Sequence, residues 1–208
     1  MNRGATEENP AMGSVTRTFI ALDLGESVRL ELARIIPKMA KELPAIRWVN
    51  PAGIHLTLAF LGDLTDERLV EAMQAAETAA HQVAPFACRL LHLGVFDSLL
   101  HPRVLWMGID EPSGNLQQLH RALNRELEQR KFTVETRPFS PHLTLARIKV
   151  SLKPDEQQRL RHLLIETKIT SSSPAHRVDQ LCVMKSELLR SGARYTHLRN
   201  YLLGGERG

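Results

Sequence analysis

The sequence predicts an α+β fold made of two related lobes. Segments with the apolar spacing of helices alternate with short apolar segments of strand type along the chain. The pentapeptide His-Leu-Thr-Leu-Ala occurs twice, at residues 55–59 and 142–146. Two copies at this separation do not form a solenoid, and helices mixed with largely antiparallel strands indicate α+β packing. We therefore expect two lobes, each carrying one copy, with a cleft between them.

Composition limits the classes of protein to which the chain can belong. It has 208 residues, of which 43% are hydrophobic and 24% are charged, as in a globular protein. No apolar run approaches the ~18–20 residues that span a bilayer, and the first residues lack the apolar core of a signal peptide. The net charge of +4 favours a phosphate-bearing ligand but not a groove that follows many phosphates. We predict that Cys88 and Cys182, which lie in apolar strand-like segments, are buried free thiols in a reducing cytoplasm.

One folded unit with short flexible ends is the predicted organisation. Residues 1–15 are expected to be disordered, residues 16–203 to form a single bilobal domain, and residues 204–208 to be a frayed tail. The predicted strands are 17–22, 46–49, 54–61, 86–96, 104–109, 141–150, 178–189 and 194–202. The predicted helices are 26–43, 65–83, 113–131 and 154–167. Thr65 should cap the second helix, and Pro37 should kink or interrupt the first.

The repeated pentapeptide places chemically useful side chains on one face of a strand. Side chains alternate along a strand, so His55 and Thr57 share one face while the neighbouring leucines share the other. The same alternation applies to His142 and Thr144. Two such strands facing a cleft would bring two imidazoles and two hydroxyls around one point.

This set of groups suits phosphoryl transfer. One neutral imidazole can take a proton from water, and one imidazolium can protonate the departing alkoxide. Threonine hydroxyls can donate to the non-bridging phosphate oxygens, where charge rearranges in the transition state.

Other interpretations of the histidines are weaker. A single His-x-Thr on a strand is usually structural, but the identical second copy favours a functional role. A zinc site is the next alternative, and it lacks cysteine or carboxylate ligands at a suitable spacing. The other histidines follow no common pattern and are expected at the surface or at helix ends. They are His81, His92, His101, His120, His162, His176 and His197.

The motifs and their surroundings resemble a known family. The resemblance runs from about Arg17 to Leu202. The matching segments are Thr18–Asp23, Arg47–Pro51, His55–Gly62, Pro102–Trp106, Arg137–Arg147 and Gly192–Tyr195. The paired His-x-Thr motifs are similar to those of the 2H phosphoesterase superfamily. The surrounding segments resemble its LigT-like RNA 2′,3′-cyclic phosphodiesterase branch, the 2′-5′ RNA ligase family.

This resemblance implies a fold and a set of site residues. The fold would be the 2H phosphoesterase fold, with two pseudo-symmetric lobes of mainly antiparallel strands, outer helices and a central cleft. His55 and His142 would be catalytic, and Thr57 and Thr144 would bind phosphate. Arg147 would match an additional phosphate contact of the family, although simple alternation puts it on the face opposite His142 unless the strand bends or ends. Phe19 would be a candidate platform for a nucleobase, because bases stack on aromatic rings. A phenylalanine in a first strand is more often part of the core.

The resemblance also implies an activity. Water would open a terminal RNA 2′,3′-cyclic phosphate to a 2′-phosphate. Of the two histidines, we assign His142 as general base and His55 as general acid; the opposite division uses the same residues and is left open by the sequence. One alternative is joining the cyclic end to a 5′-hydroxyl as a 2′–5′ linkage; another is a non-catalytic module that binds RNA phosphate. We expect a cytoplasmic monomer without metal, cofactor or membrane contact. Its ligands would be RNA ends with a 2′,3′-cyclic phosphate or small cyclic nucleotides.

Overall fold

Two antiparallel sheets with helices on their outer sides make up the fold. The computed structural model describes residues 14–166, 174–189 and 192–204. The strands are β1 (Thr16–Leu22), β2 (Arg47–Trp48), β3 (Leu56–Leu64), β4 (Phe86–Asp97), β5 (Pro102–Asp110), β6 (His142–Arg147), β7 (His176–Val178), β8 (Gln180–Leu189) and β9 (Gly192–Leu202). The helices are α1 (Gly25–Glu42), α2 (Asp66–His81), α3 (Asn115–Gln129) and α4 (Pro154–Glu166), and a 3-10 turn spans Pro51–Gly53.

Each sheet contains one copy of the repeated pentapeptide. Sheet 1 has the strand order β3-β1-β8-β9, and sheet 2 has the order β2-β6-β5-β4-β7. All of their pairings are antiparallel. The two motif strands, β3 and β6, lie in different sheets and contact each other. The predicted α+β fold with two lobes is confirmed.

The helices divide between the two sheets. Helix α2 packs on β8 and β9 of sheet 1 and carries α3 on its other side, while α1 and α4 pack on each other and against β7 and β4 of sheet 2. The buried residues of α2 are all alanines, whose small side chains let the helix lie close to its neighbours. These are Ala72, Ala75, Ala76, Ala79 and Ala80. As predicted, Thr65 caps α2, its hydroxyl accepting from the backbone N–H of Arg68.

Leucines of the two motifs anchor the motif strands to the core. Leu56, Leu58, Leu143 and Leu145 are all at most 5% exposed. Burying one leucine side chain contributes ~1.5–3 kcal/mol. The face of each motif strand opposite its histidine is therefore held firmly against the core.

Several boundaries differ from the predicted ones. Helix α1 runs through Pro37 without interruption, because this proline lies on the exposed side, where solvent can satisfy the carbonyl that it leaves unbonded. The predicted strand 178–189 is divided at Asp179, where the chain leaves β7 in sheet 2 and enters β8 in sheet 1. Strand β6 begins only after Pro141, which has no N–H for a sheet ladder.

Some predictions fall outside the described residues. They concern residues 1–13 of the predicted disordered segment, Thr167 and the tail 205–208. Within the described ranges, no helix has the length and apolarity needed to cross a membrane.

The cysteines fit their prediction, and two histidines do not. Cys88 and Cys182 are buried free thiols, and burial raises the pKa of each to about 11. His120 and His176 were expected at the surface or at helix ends but are buried, at 9% and 2% exposure. Each has a partner: His120 stacks on Phe139, and His176 bonds to Ser27 and Glu31.

Candidate active site

The two motifs place their histidines and threonines as predicted. His55, Thr57, His142 and Thr144 are each half-buried, while the leucines between them are buried. We call the face of each sheet that carries the histidine its cleft face. Arg147 of the second motif lies close enough to His55 of the first for its charge to lower the pKa of His55. The two motifs therefore share one electrostatic environment.

A β-bulge in β6 explains how Arg147 joins this site. Thr144 lies opposite Trp106, but Ala146 lies opposite Leu105, so Leu145 is an extra residue on the motif strand. A bulge shifts the alternation of side chains by one position. Ala146 consequently faces the core with Leu105, and Arg147 returns to the cleft face that carries His142 and Thr144. The bend that this arginine requires is thus present in the strand.

The first motif contains the same bulge at the equivalent residue. Thr57 lies opposite Ala21 and Ala59 lies opposite Ile20, so Leu58 is the extra residue. The next cleft-face position is occupied by Phe60, whose side chain is 72% exposed. Phe60 is therefore the structural counterpart of Arg147 in the other lobe.

A backbone carbonyl orients each imidazole. The Nδ1–H of His55 donates to the carbonyl of Gly53 at 2.8 Å, and the Nδ1–H of His142 donates to the carbonyl of Ser140 at 2.7 Å. A carbonyl can only accept, so Nδ1 must carry the hydrogen in both rings. In a neutral ring Nε2 then holds the free lone pair, and in a charged ring Nε2 is the available acid.

The two orienting carbonyls are held in different ways. Gly53 ends the 3-10 turn, and the Asn50 side chain caps that turn by accepting from the N–H of Ala52 at 3.0 Å. Ser140 lies in a segment without regular secondary structure. Its neighbour Phe139 packs against the core and stacks on His120 of α3, with ring centroids 4.0 Å apart and an interplanar angle of 7°.

Aromatic rings surround both imidazoles. The His55 ring lies 4.6 Å from Phe19 and meets the edge of Tyr195 at 4.7 Å. The His142 ring meets Phe96 at 4.7 Å in an edge-to-face contact, and Trp106 lies 6.3 Å away. Rings packed in this way restrict the rotation of an imidazole without competing for its nitrogens.

The surroundings of His55 favour its neutral form in the unliganded protein. Burial is the main cause that lowers the pKa of His55, and the charges of Arg147 and His197 add to it. The hydrogen bond to Gly53 and the charge of Asp23 act in the opposite direction. A bound phosphate anion would act in the same direction as Asp23.

A cavity opens beside His55, whereas a large side chain occupies the equivalent position in the second lobe. The cavity has a volume of about 260 Å³, and Ala21, Asp23, Tyr195 and His197 are among the residues that line it. Ala21 lies opposite Thr57 on the floor of the first lobe. The equivalent residue in the second lobe, opposite Thr144, is Trp106, whose indole lies over Gly94 and leaves no room there for a β-carbon.

Phe19 does not occupy the position expected of a stacking platform. It is only 2% exposed, because the rings of His55, Tyr195 and Phe60 cover it. The base-stacking assignment stays a prediction, and it would require the covering rings to move away from Phe19. Phe19 instead supports the imidazole of His55 from below.

Sequence reasoning missed several residues around the histidines. Tyr195 and Trp106 lie in segments that carry the family resemblance, but nothing local to them indicates a contact with an imidazole. The sequence did contain a signal for Phe60 that was not used. Phe60 directly follows the first pentapeptide, as Arg147 directly follows the second, so aligning the two copies matches these residues. Among residues 14–166, 174–189 and 192–204, no three His, Cys, Asp or Glu side chains group as a metal site would require. The absence of a metal stays a prediction.

Comparison with known proteins identifies the family. The profile of the 2'-5' RNA ligase superfamily matches residues 30–188. The chain belongs to this superfamily. One member, the RNA 2',3'-cyclic phosphodiesterase of Aquifex aeolicus (strain VF5), is 30% identical over 193 residues, covering 92% of this chain and 99% of its own.

Solved structures agree with this superfamily assignment. A crystal structure from Thermus thermophilus has a TM-score of 0.72 at 28% identity, covering 92% of this superfamily member and 100% of that chain. E. coli LigT complexed with 3'-AMP has a TM-score of 0.68 at 27% identity, with 91% and 99% covered. The pattern of two sheets with outer helices is thus that of LigT.

Proposed function

We propose that this protein hydrolyses the 2′,3′-cyclic phosphate at the end of an RNA. The observation that carries the proposal is the duplicated His-x-Thr site, in which a carbonyl fixes each Nδ1–H and leaves each Nε2 for chemistry. Relatives that align over almost their whole length are named RNA 2',3'-cyclic phosphodiesterase. These names support the same activity here.

In the proposed reaction, one histidine activates water and the other protonates the leaving group. His142 Nε2 takes a proton from water as the oxygen attacks phosphorus. The bond from phosphorus to O3′ breaks, and Nε2–H of His55 gives its proton to O3′. The product carries a 2′-phosphate and a free 3′-hydroxyl. General acid and general base catalysis each contribute typically ~10²–10⁴-fold.

Three further side chains would bind the phosphate. The hydroxyls of Thr57 and Thr144 flank the histidines and can donate to the non-bridging oxygens. Arg147 can donate a charge-assisted pair of hydrogen bonds to the same group. These donors stabilise the charge that develops on the phosphorane-like transition state.

The assignment of His55 as the acid places a requirement on its protonation. An acid must carry a proton, whereas burial lowers the pKa of His55 in the unliganded protein. The phosphate anion and the carboxylate of Asp23 favour protonation once the substrate is bound. The proposal therefore requires His55 to become charged on binding.

A substrate with sulfur in place of O3′ tests this division. A thiolate leaves without needing a proton, so the 3′-thio substrate should rescue most of the activity lost in His55→Ala. It should not rescue His142→Ala. Rescue of His142→Ala instead would exchange the two roles, and rescue of neither would show that His55 positions phosphate rather than donating a proton.

Product analysis tests the reaction itself. Purified protein is incubated with an RNA ending in a 2′,3′-cyclic phosphate, with and without a second RNA that has a 5′-hydroxyl. We expect a 2′-phosphate in both reactions. A 3′-phosphate would mean that the nucleotide is bound in reverse, and a 2′–5′ joined product would show ligase chemistry at the same site.

We also propose that the protein acts as a cytoplasmic monomer. Sedimentation would check the oligomeric state, and cell fractionation would check the location.

A further inference from the structure

Two arginines lie side by side on the cleft face of sheet 2. Arg47 of β2 is the direct cross-strand partner of Arg147 of β6, and both are exposed. Side chains of directly paired residues leave the same face of a sheet. The next pair confirms this face, because Ala146 is buried and Trp48 turns inward, its indole N–H donating to the carbonyl of Leu43 at 3.1 Å. Arg47 therefore shares the cleft face with Arg147.

This pairing concentrates positive charge at one point of the cleft face. Like charges at directly opposed positions of two strands repel each other. A phosphate in contact with both guanidinium groups, or one phosphate at each, would turn the repulsion into a shared attraction. Arginine suits this task because its planar group donates two parallel hydrogen bonds to phosphate oxygens.

Arg47 also reaches the other lobe. Its Nη2 lies 3.2 Å from the position that a β-carbon would take on Gly192, at the start of β9 in sheet 1. The guanidinium therefore stands between the two sheets at one end of the cleft. On the cleft face of sheet 2, Arg147 therefore lies between Thr144 of its own strand and Arg47 of the edge strand β2. Neighbouring strands lie ~4.8 Å apart, so the two guanidinium groups can serve two different phosphates.

We propose that Arg47 binds the internucleotide phosphate on the 5′ side of the terminal nucleotide. This rests on the proposed function, in which Arg147 and the threonines hold the cyclic phosphate. It assigns the substrate class more narrowly: the site is built for an RNA chain with at least two nucleotides rather than for a free cyclic mononucleotide.

Two substrates that differ by one phosphate test the proposal. One is a nucleoside 2′,3′-cyclic phosphate, and the other is a dinucleotide with the same cyclic end. Arg47→Ala should raise KM for the dinucleotide about 10-fold, because one charge-assisted contact is lost, and leave the mononucleotide unchanged. Arg47→Lys should keep part of the effect. Arg34→Ala, on the outer helix α1, removes the same charge away from the cleft and serves as the control.

Salt dependence gives a second measure of the same contact. For single strands the logarithm of affinity falls with the logarithm of salt by ~0.7 for each phosphate neutralised. The slope of kcat/KM for the dinucleotide should therefore decrease by about that amount in Arg47→Ala, and the slope for the mononucleotide should not change.

Two outcomes would overturn the proposal. Equal losses on both substrates would show that Arg47 serves the reacting phosphate or the fold, and no loss on either would show that it contacts no RNA. If the wild-type protein turns over neither substrate, the proposed hydrolysis fails separately. Fluorescence binding of a dinucleotide and a mononucleotide, each ending in a 2′-phosphate, then decides whether Arg47→Ala weakens the dinucleotide alone.

Discussion

Replacing His120 with alanine should disturb His142 and leave His55 unaffected. His120 stacks on Phe139, which directly precedes the residue whose carbonyl orients His142. The orienting carbonyl of His55 belongs instead to a 3-10 turn that Asn50 caps. The two catalytic candidates thus depend on separate supports, and each support can be removed alone.

The expected magnitudes follow from what is lost. A stacked aromatic pair is worth ~0.5–1.5 kcal/mol beyond its buried area, so the free energy of unfolding should fall by about 1–2 kcal/mol once the buried area of the imidazole is added. Misplacing a catalytic group by 1 Å can cost ~100-fold in rate. Because Phe139 keeps its packing against the core, we expect a smaller loss, about 10-fold in kcat with KM unchanged.

Nitrogen NMR of the imidazole rings measures the orientation directly. In His120→Ala, the Nδ1 and Nε2 signals of His142 should change while those of His55 remain. In Asn50→Ala, which removes a cap worth ~1 kcal/mol, the opposite pattern is expected. His120→Phe should keep the kcat that His120→Ala loses. Burial lowers the pKa of His120 and so favours its neutral ring, and the neutral ring of phenylalanine can stack on Phe139 in the same way.

Two results would refute this reasoning. Equal changes in both histidines of His120→Ala would mean that the substitution acts on the whole fold. Unchanged kcat and unchanged His142 signals would mean that Ser140 is held without the stacked pair.

Three other predictions follow from the site. His55→Ala and His142→Ala should each lower turnover by ~10²–10⁴-fold with the fold retained; near-normal activity in either variant rules out the two-histidine mechanism. Activity should survive dialysis against a strong chelator, and loss that zinc or magnesium restores would indicate a metal site. Burial lowers the pKa of His55 and His120 below 6.5 in the folded protein. Between these lowered pKa values and pH 6.5, the unfolded chain therefore binds more protons than the folded protein, so the free energy of unfolding should rise with pH. Urea denaturation across that window checks the sign, and a flat or falling trend would contradict it.

The fold class and the core of the site were accessible from the sequence because they depend on local patterns. Alternation along a strand is enough to place His55 with Thr57 and His142 with Thr144. The repetition of the pentapeptide was enough to suggest two lobes. Neither inference requires knowledge of which strands pair.

Features that depend on pairing were not accessible. The face of Arg147 is set by a bulge at Leu145, and a bulge exists only relative to the partner strand. The burial of Phe19 results from rings contributed by distant segments, including Tyr195. The division of the predicted strand at Asp179 results from its two halves joining different sheets.

The exchange of Ala21 for Trp106 between the lobes has a consequence for which regioisomer is formed. Two lobes of the same shape would accept a cyclic phosphate in two orientations related by a half-turn. With His142 fixed as base and His55 as acid, the reversed orientation would bring O2′ rather than O3′ to His55 and would give a 3′-phosphate. Ala21 and Trp106 make the lobes different, because a cavity lies beside Ala21 whereas the indole of Trp106 covers Gly94 in the second lobe. We expect this difference to favour one orientation of the nucleoside and therefore a single regioisomer.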